Sequence, residues 1–463
     1  MKTIIVVGGG AAGLMAAISA SGEGKRVTVI DHNDRAGRKL FITGKGRCNI
    51  TNACPAEEFL SHVVTNPRFL YSAFDQFSNF DMMDFLEQEG LALKTERGQR
   101  VFPQSDHSSD VIRTLTQACR TRGVCFRFDC HVRDLILEKS VPVDVKSGTG
   151  FYDGGEDVSG DLPQKRSPLK ESGSRKGKGK KGPENRVIGV RLSDGTELAC
   201  DALILACGGK SYQSTGSDGS GFDLARAAGH RITDLQPSLV PFEMAEPWCK
   251  DLMGLSLRNI SVRVKCGKKL VYEGFGEFLF THFGVSGPLV LTASTRLGPF
   301  WKDLKAGRLR LLLDLKPALD YEQLDRRFLR EFDTWRNKNI SNVMDSLLPK
   351  KMIPVFLQLC GIPADKKVRE ISRQERRQME EMMKNLPMQI TGVRGFEEAI
   401  ITRGGVAVRE VDPASMASKK TEGLYICGEM LDLDAVTGGF NLQIAWTTGY
   451  AAGRACSGKL KSI

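Results

Sequence analysis

The sequence lacks any apolar run long enough to cross a lipid bilayer. Hydrophobic residues make up 41% and charged residues 26% of its 463 residues, which is ordinary for a globular protein. No stretch approaches the roughly 20 consecutive apolar residues that a spanning helix needs. Glycines interrupt the N-terminal apolar run and no cleavage-site pattern follows it, so we do not interpret it as a signal peptide. These absences predict a cytoplasmic protein of two or three domains without a membrane partner.

Cysteine spacings that bind metals are also missing. The chain has twelve cysteines, but none of them forms C-x-x-C, and several lie inside apolar runs. Thiols in such positions are typical of small buried residues in a reducing compartment. We therefore expect no zinc or iron–sulfur site and no other metal.

No helix-turn-helix, RRM or zinc-finger pattern accompanies the net charge of +11. Residues 146–186 hold ten Lys/Arg and six Asp/Glu, which leaves a mild excess of +7 for the rest of the chain. Gly, Ser, Lys and Pro dominate this segment, so it buries too little apolar surface to offset its ordering entropy. We interpret it as a disordered loop between the strand-like runs Val132–Leu137 and Val187–Leu192. The alternative is a basic arm for RNA or membrane, although nucleic acid is otherwise an unlikely partner.

The first 31 residues contain a strand, a glycine turn, a helix and a second strand. Thr3–Val7 is a continuous apolar, β-branched run, typical of a parallel strand buried on both faces. Gly8–Gly13 satisfies G-x-G-x-x-G, and Ala11–Ser21 is small and apolar. The second strand, Val27–Ile30, is followed by Asp31, 18 residues after the last glycine of the turn. This order predicts an α/β unit that binds a dinucleotide.

The glycines of the turn determine the class of ligand. Gly8 allows a tight turn, Gly10 allows a pyrophosphate to approach the backbone, and Gly13 lets helix and strand pack closely. The N-terminus of the helix offers free N–H groups and a positive dipole end to the phosphates. Asp31 can accept hydrogen bonds from a ribose 2′-hydroxyl and would repel a 2′-phosphate, so FAD or NAD is favoured over NADP.

The centre of the chain differs in character from both ends. Residues 222–230 look helical and 235–320 are strand-like with frequent turns, and we predict an inserted β-rich domain over 211–320. Residues 321–387 are charged and predict a helical subdomain. Residues 388–463 return to the opening pattern, with a strand that ends in Gly428-Glu429. We therefore predict that 1–210 and 388–463 form one nucleotide-binding domain.

Four longer motifs carry a family resemblance: Gly37–Leu40 (GRKL), Thr43–Asn52 (TGKGRCNITN), Phe280–Pro288 (FTHFGVSGP) and Thr437–Gln443 (TGGFNLQ). With them, the chain resembles the BaiN/YhiN-type flavoproteins of the glutathione-reductase-like superfamily, except over 146–186. The resemblance implies an α/β Rossmann-like FAD domain built from both chain ends, with an inserted β-barrel-like domain and a small helical domain.

The same resemblance implies where the adenosine half of FAD would lie. The Gly8–Gly13 turn would hold the pyrophosphate, and Asp31 the adenosine ribose. Val132 would offer backbone groups to the adenine, its alternative being an ordinary strand residue. Arg38 and Lys39 would neutralise phosphate or ribityl oxygens, their alternative being exposed loop charges.

Residues near the C-terminus would hold the flavin half. Glu429 would bond the ribityl chain, a position where many superfamily members have Asp. Asn441 and Leu442 would begin a helix aimed at the pyrimidine edge of the flavin, where its dipole stabilises negative charge. The full set of expected FAD-binding residues is Gly8, Gly10, Ala11, Ala12, Gly13, Asp31, Arg38, Lys39, Asn49, Val132, Gly208, Glu429, Gly439, Asn441 and Leu442.

Two residues are candidates for catalysis. Cys48 would form a non-redox wall of the flavin pocket or, less favoured, pair with Cys54 as a redox-active disulfide. His282 would donate a proton over the flavin, its alternative being a structural histidine.

The sequence thus predicts an FAD-dependent oxidoreductase that passes hydride between flavin N5 and a small organic substrate. Only one G-x-G-x-x-G has strand and helix context, so NADH or NADPH would bind transiently as electron donor. An amine oxidase of the aminoacetone-oxidase type that uses oxygen and an FAD-dependent tRNA-modifying or RNA-binding flavoprotein stay open, as does a flavin-binding sensor without turnover. The sequence does not predict the oligomeric state.

Overall fold

The computed structural model describes residues 1–139 and 183–458. The expectation of a disordered segment over 146–186 therefore lies outside the described residues, apart from 183–186. Of these four, Asn185 and Arg186 already belong to a strand. Within the described ranges, no helix has both the length and the apolar composition needed to cross a membrane.

A five-stranded parallel sheet lies at the centre of one half of the molecule. Lys2–Val7 is its middle strand and pairs with Ala202–Leu205 on one side and Lys25–Ile30 on the other. Leu424–Ile426 and Cys125–Arg127 form the two edges. The last four side chains of the middle strand are buried, as its continuous apolar sequence predicts. The predicted α/β fold is confirmed.

Both ends of the chain pack on this sheet. Helix Ala11–Ala20 follows the first strand, and helix Phe440–Cys456 lies directly against it. A Cβ on Gly449 would come within 2.3 Å of the carbonyl oxygen of Ala12. Because glycine has no side chain, the two helix backbones can touch, which gives the small residues of both helices a packing reason.

A hairpin and several shorter elements surround the sheet. Strand Val132–Lys139 pairs antiparallel with Asn185–Leu192, which pairs in turn with Glu197–Ala199. The predicted strands on both sides of the basic segment are thus present. The remaining α-helices here are Arg38–Ile42, Ala56–Ser61, Pro67–Gln76, Asn79–Gln88, Ser108–Thr121 and Ser220–Ala227. The remaining strands are Thr51–Asn52, Val63–Thr65, Leu93–Glu96, Arg100–Pro103, Thr421–Glu422 and Asp434–Ala435.

Six antiparallel strands close into a barrel in the other half of the molecule. Around the barrel they are, in order, Phe242–Met244, Gly284–Ser286, Lys269–Phe280, Ser256–Cys266, Leu309–Asp314 and Leu386–Val393. Helices Pro288–Thr295 and Trp301–Lys305 lie between barrel strands in the sequence. The inserted β-barrel that the resemblance implies is present.

A group of helices packs on the barrel. The longer two, Tyr321–Thr334 and Arg373–Lys384, each begin with a capping box, formed by Asp320 and by Ser372. These boxes satisfy backbone N–H groups at the helix starts. Two shorter helices, Ile340–Val343 and Ile353–Leu359, complete the group.

The barrel and its helices share one hydrophobic core, which is separate from the core around the sheet. We call residues 242–393 the barrel lobe and the other described residues the nucleotide lobe. Outside the barrel, Gln236–Ser238 pairs with Ile401–Arg403 where the chain passes between the lobes.

Two elements do not follow the domain division expected from composition. Strand Leu386–Val393 closes the barrel, although the boundary expected at 388 would divide it. Helix Ser220–Ala227, expected in the inserted domain, packs in the core of the sheet through Phe222 and Leu224. Composition describes a segment's local character but does not indicate which of two hydrophobic cores the segment joins.

Candidate functional site

One large cleft lies at the carboxyl edge of the parallel sheet. It encloses about 1350 Å³, part of which is open to solvent, and Val7, Ile30 and Ala206 mark where three central strands enter it. Open α/β sheets bind ligands at this edge. Most of the expected FAD-binding residues line the cleft, namely Gly8, Gly10, Ala11, Ala12, Asp31, Arg38, Lys39, Val132, Gly208, Glu429, Asn441 and Leu442.

The geometry of the glycine turn fits a pyrophosphate. A Cβ on Gly8 (φ +104°) would lie 2.4 Å from the carbonyl oxygen of Ala206, and one on Gly13 would lie 1.8 Å from that of Gly8. A Cβ on Gly10, in contrast, would meet no protein atom within 4 Å. Helix Ala11–Ala20 has no side-chain cap at its N-terminus, so its first N–H groups are available to a phosphate.

Asp31 is oriented by the turn itself. Its Oδ2 accepts a hydrogen bond from the Gly9 N–H at 2.6 Å, and its Oδ1 accepts two from Asn33, each at 2.9 Å. A carboxylate has about four acceptor positions, so Oδ2 keeps capacity for a ribose hydroxyl. Arg38 donates to Oδ1 of Asn33 at 3.0 Å, which ties this cation to the Asp31 end of the cleft.

Other walls of the cleft come from residues that the motifs do not indicate. His32 and His131 flank the Asp31 end, with ring centroids 5.8 Å apart. His32 follows Asp31 and His131 precedes Val132 in the sequence. This adjacency to expected site residues was the signal that could have identified them. Thr215–Ser217, Ile400–Thr402 and Leu433 also line the cleft. They belong to segments with no recognisable motif, and only the pairing of distant strands brings them there.

Protein donors surround the carboxylate of Glu429. Lys39 Nζ lies 2.7 Å from its Oε2, and Oε1 accepts hydrogen bonds from the Ser211 hydroxyl and the Thr402 N–H, both at 2.8 Å. Burial acts to raise the pKa of Glu429, but the Lys39 charge and these donors outweigh it and hold the pKa below its usual range. Glu429 therefore lines the cleft as an anion neutralised by Lys39, and a direct bond to a ribityl chain stays a prediction.

The N-terminus of helix Phe440–Cys456 is held in place by close backbone packing and by two asparagine side chains. A Cβ on Gly439 (φ +98°) would lie 2.4 Å from the carbonyl oxygen of Thr51. The side-chain amide of Asn49 is oriented so that both its oxygen and its nitrogen have hydrogen-bond partners. In this orientation its oxygen accepts a hydrogen bond from the Gly439 N–H at 3.0 Å. The Asn441 side chain bonds the N–H and the carbonyl of Ala435, both at 2.9 Å. Asn49 and Gly439, like Gly13, thus support the cleft without lining it.

Neither candidate catalytic residue lines the cleft. Cys48 is fully buried, and burial raises the pKa of its thiol to about 12, so the thiol is neutral. Cys54 is also buried, and all twelve cysteines are free. His282 is exposed on the barrel lobe, and its ring packs edge-on to Phe283 at 4.9 Å. Catalytic roles for Cys48 and His282 stay predictions.

A buried carboxyl group lies directly behind the cleft. Leu433 lines the cleft, while the next residue, Asp434, is 0% exposed. Burial raises the pKa of Asp434, and nearby Asp432 acts in the same direction. The Thr65 side chain, on the paired strand, and the charges of Arg403 and Arg296 act against this rise but do not cancel it.

Replacing Asp434 with Asn is expected to stabilise the protein above mildly acidic pH. Because folding raises this pKa, the stabilising contribution of the acid is complete below its unfolded value and is lost as pH rises through the folded value. The neutral amide of Asn avoids that loss, so the free energy of unfolding should rise by about 1–3 kcal/mol. Thermal unfolding at pH 5 and pH 8 should show a larger gain at pH 8. An equal gain at both values would contradict a titrating Asp434.

Comparison with known proteins assigns this chain to a family. The model of the HI0933-like protein Rossmann domain matches residues 2–152 and 174–455. The chain belongs to the HI0933-like family. The resemblance to BaiN/YhiN-type flavoproteins is thereby confirmed, and this member is a flavin-dependent oxidoreductase with a Rossmann FAD-binding domain.

Two curated relatives match almost the full chain. The 3-dehydro-bile acid delta(4,6)-reductase of Clostridium scindens is 29% identical over 460 residues, covering 99% of each chain. The ribosomal RNA dihydrouridine synthase of Escherichia coli is 27% identical over 448 residues, covering 96% of each chain. Among solved structures, 3-ketosteroid delta1-dehydrogenase from Sterolibacterium denitrificans is 14% identical with a TM-score of 0.49, covering 99% of this chain and 100% of that chain.

Proposed function

We propose that this HI0933-like protein reduces a carbon–carbon double bond that is conjugated with a carbonyl group. The names of the two relatives support this substrate class. A 3-oxo group beside a delta-4 double bond is a conjugated enone, and uridine has its 5,6 double bond conjugated with the C4 carbonyl. Both reactions add a hydride to one carbon and a proton to the other. The single observation that carries the proposal is full-length similarity to two reductases of such bonds.

We assign the adenosine half of FAD to the Asp31 end of the cleft. The uncapped N-terminus of helix Ala11–Ala20 and the open space at Gly10 would receive the pyrophosphate. Oδ2 of Asp31 would bond a ribose hydroxyl, and Val132 would lie beside the adenine. Each of these assignments follows from donors, acceptors or space that the cleft provides.

We assign the flavin half to the end of the cleft that Asn441 and Leu442 line. Bound FAD, once reduced, supplies hydride at N5. The N-terminus of the 17-residue helix Phe440–Cys456 would stabilise negative charge at the pyrimidine edge, an effect of about 0.3–1 kcal/mol and up to about 2 where solvent is excluded. Asn441 holds the preceding loop through Ala435, which fixes the position of this helix start.

We infer that NADH or NADPH is the electron donor and binds only transiently. The sequence has one dinucleotide fingerprint with strand and helix context, and that site is assigned to FAD. Stopped-flow mixing of the FAD-loaded protein with each nucleotide under anaerobic conditions measures which of them bleaches the flavin absorbance. Steady-state turnover should then convert a 3-oxo-delta-4 steroid or uridine to a product heavier by two hydrogens. Consumption of oxygen with no loss of alkene would favour the oxidase alternative instead.

A second candidate, an RNA-linked substrate, is favoured by a specific observation. The Escherichia coli relative is named for a reaction on ribosomal RNA, although the sequence had made nucleic acid an unlikely partner. Under this candidate the reaction is unchanged, and the alkene is the uracil of a nucleotide within RNA. Comparing turnover on free uridine with turnover on a structured RNA that contains uridine separates the two.

A further inference from the structure

The positive charge of the chain is concentrated in the barrel lobe. Residues 242–393 hold 26 Lys/Arg and 18 Asp/Glu. Outside this lobe and the basic segment 146–186, the chain has 30 Lys/Arg and 31 Asp/Glu, and is therefore close to neutral. The mild excess of +7 outside the basic segment therefore comes from the barrel lobe. The domain that binds the nucleotide contributes none of it.

Six cations of the barrel lobe, five of them exposed and Lys265 half-buried, lie along one edge of the barrel. Strands Ser256–Cys266 and Leu309–Asp314 pair so that Lys265 lies opposite Arg310. Lys268 lies in the turn that follows the first of these strands, Lys269 begins the next strand, and helix Trp301–Lys305 carries another two lysines. We call this group the basic edge, and its members are Lys265, Lys268, Lys269, Lys302, Lys305 and Arg310.

Side-chain contacts show that the basic edge is continuous. Lys269 Nζ lies 4.9 Å from the ring centroid of Phe300, which directly precedes helix Trp301–Lys305. On that helix, Asp303 pairs with Arg308 at 2.7 Å, beside the start of the strand that carries Arg310. The turn, the helix and the strand therefore form one surface.

The cations of the basic edge have no acidic partners among the residues that the structure describes. None of the six forms an ion pair there, whereas nearby acids of the barrel lobe pair with other cations. Asp314, on the same strand as Arg310, lies 2.7 Å from Lys384, and Asp325 pairs with Arg376. Uncompensated like charges repel one another and create a strong local field. Such a surface is suited to a polyanion, which replaces the repulsion with phosphate contacts and releases counterions.

We propose that the basic edge binds the phosphate backbone of RNA and thereby brings a uridine substrate to the protein. This inference rests on the proposed reduction of a conjugated double bond. A membrane surface is less suited, because the edge presents one strongly exposed apolar side chain, Leu270 at 49%, and its only helix has five residues. Surface-binding helices need a broad apolar face. Phe300 and Trp301, both half-buried, add aromatic surface on which bases can stack.

The test compares two matched variants of the full-length, FAD-loaded protein. One carries Lys265→Gln, Lys268→Gln, Lys302→Gln and Arg310→Gln. The control carries Arg326→Gln, Arg336→Gln, Lys350→Gln and Arg369→Gln, which removes the same charge from exposed cations that do have ion-pair partners. Fluorescence anisotropy of a labelled, uridine-containing RNA hairpin gives the affinity at several salt concentrations. Vesicles containing phosphatidylserine serve as the second probe.

The basic-edge variant is expected to bind RNA at least about tenfold more weakly, and its log–log salt slope should fall by roughly 2.8, at about 0.7 per lost phosphate contact. The control should change affinity less than about twofold. Equal losses in both variants, or binding of vesicles but not of RNA, would overturn the proposal. Reduction of a small enone should stay unchanged in both variants, and its absence in the unmodified protein would overturn the proposed function instead.

Discussion

Gly10→Ala is expected to weaken FAD binding strongly without weakening the fold. The added Cβ meets no protein atom within 4 Å, and the backbone there (φ −80°, ψ −168°) suits any residue. Stability of the apoprotein should therefore change by less than about 1 kcal/mol. The methyl group occupies the space assigned to the pyrophosphate, so the Kd for FAD should rise at least about 100-fold, on the order of 2.7 kcal/mol.

Calorimetric titration of the apoprotein with FAD, beside thermal unfolding without FAD, measures the two effects separately. Gly13→Ala is the contrasting variant, because its Cβ would lie 1.8 Å from the carbonyl oxygen of Gly8 and should destabilise the apoprotein itself. A Gly10→Ala variant that binds FAD as tightly as the unmodified protein would show that the phosphates do not lie on this turn.

Loss of the Lys39 charge is expected to destabilise the protein and to weaken FAD binding. The Lys39 and Glu429 side chains are only 22% and 20% exposed, so Lys39→Met leaves a partly buried carboxylate without its cation. We expect a loss of about 2–4 kcal/mol in the free energy of unfolding at pH 7. The Kd for FAD should rise at least about tenfold, because this cation lines the cleft. Chemical denaturation and FAD titration check the two effects.

A second substitution tests whether the pair acts as a unit. Glu429→Gln added to Lys39→Met removes the uncompensated charge and should restore at least about 1 kcal/mol of the lost stability. The folded pKa of Glu429 is lowered, so the stability it contributes is present above its unfolded pKa and is lost as pH falls through the folded value. The defect of Lys39→Met should accordingly be smaller near pH 4 than at pH 7. Purely additive effects of the two substitutions would contradict the coupling.

Local sequence predicts the nucleotide half of the fold well. The strand before Gly8, the helix after it and the position of Asp31 are each determined by neighbouring residues, and all three occur as predicted. The barrel is less predictable. Strand Lys269–Phe280 contains two glycines, which weaken a strand locally. Pairing with Ser256–Cys266, a partner that local sequence does not indicate, keeps Gly274 and Gly276 extended.

The candidate site likewise contains some residues that local sequence predicts and others that it does not. Residues within motifs, such as Gly10, line the cleft, and their contacts with FAD stay predictions. Thr402 could not be predicted, because it reaches Glu429 through the pairing of two short strands that are far apart in sequence. The partners of a buried side chain also leave little trace in sequence. Glu429 could be identified from the strand end that it occupies. Its ion pair with Lys39 could not, because the two residues are 390 positions apart in sequence.

The oxidation of the reduced protein tests the central claim most directly. The FAD-loaded protein is reduced anaerobically with a stoichiometric amount of dithionite and mixed in a stopped-flow instrument with a 3-oxo-delta-4 steroid, with uridine or with a uridine-containing RNA. The saturated analogue of each serves as control. The account predicts that flavin absorbance returns with at least one unsaturated compound and with no saturated analogue, and that one alkene is consumed per flavin. Recovery of the absorbance only when oxygen is admitted would contradict it.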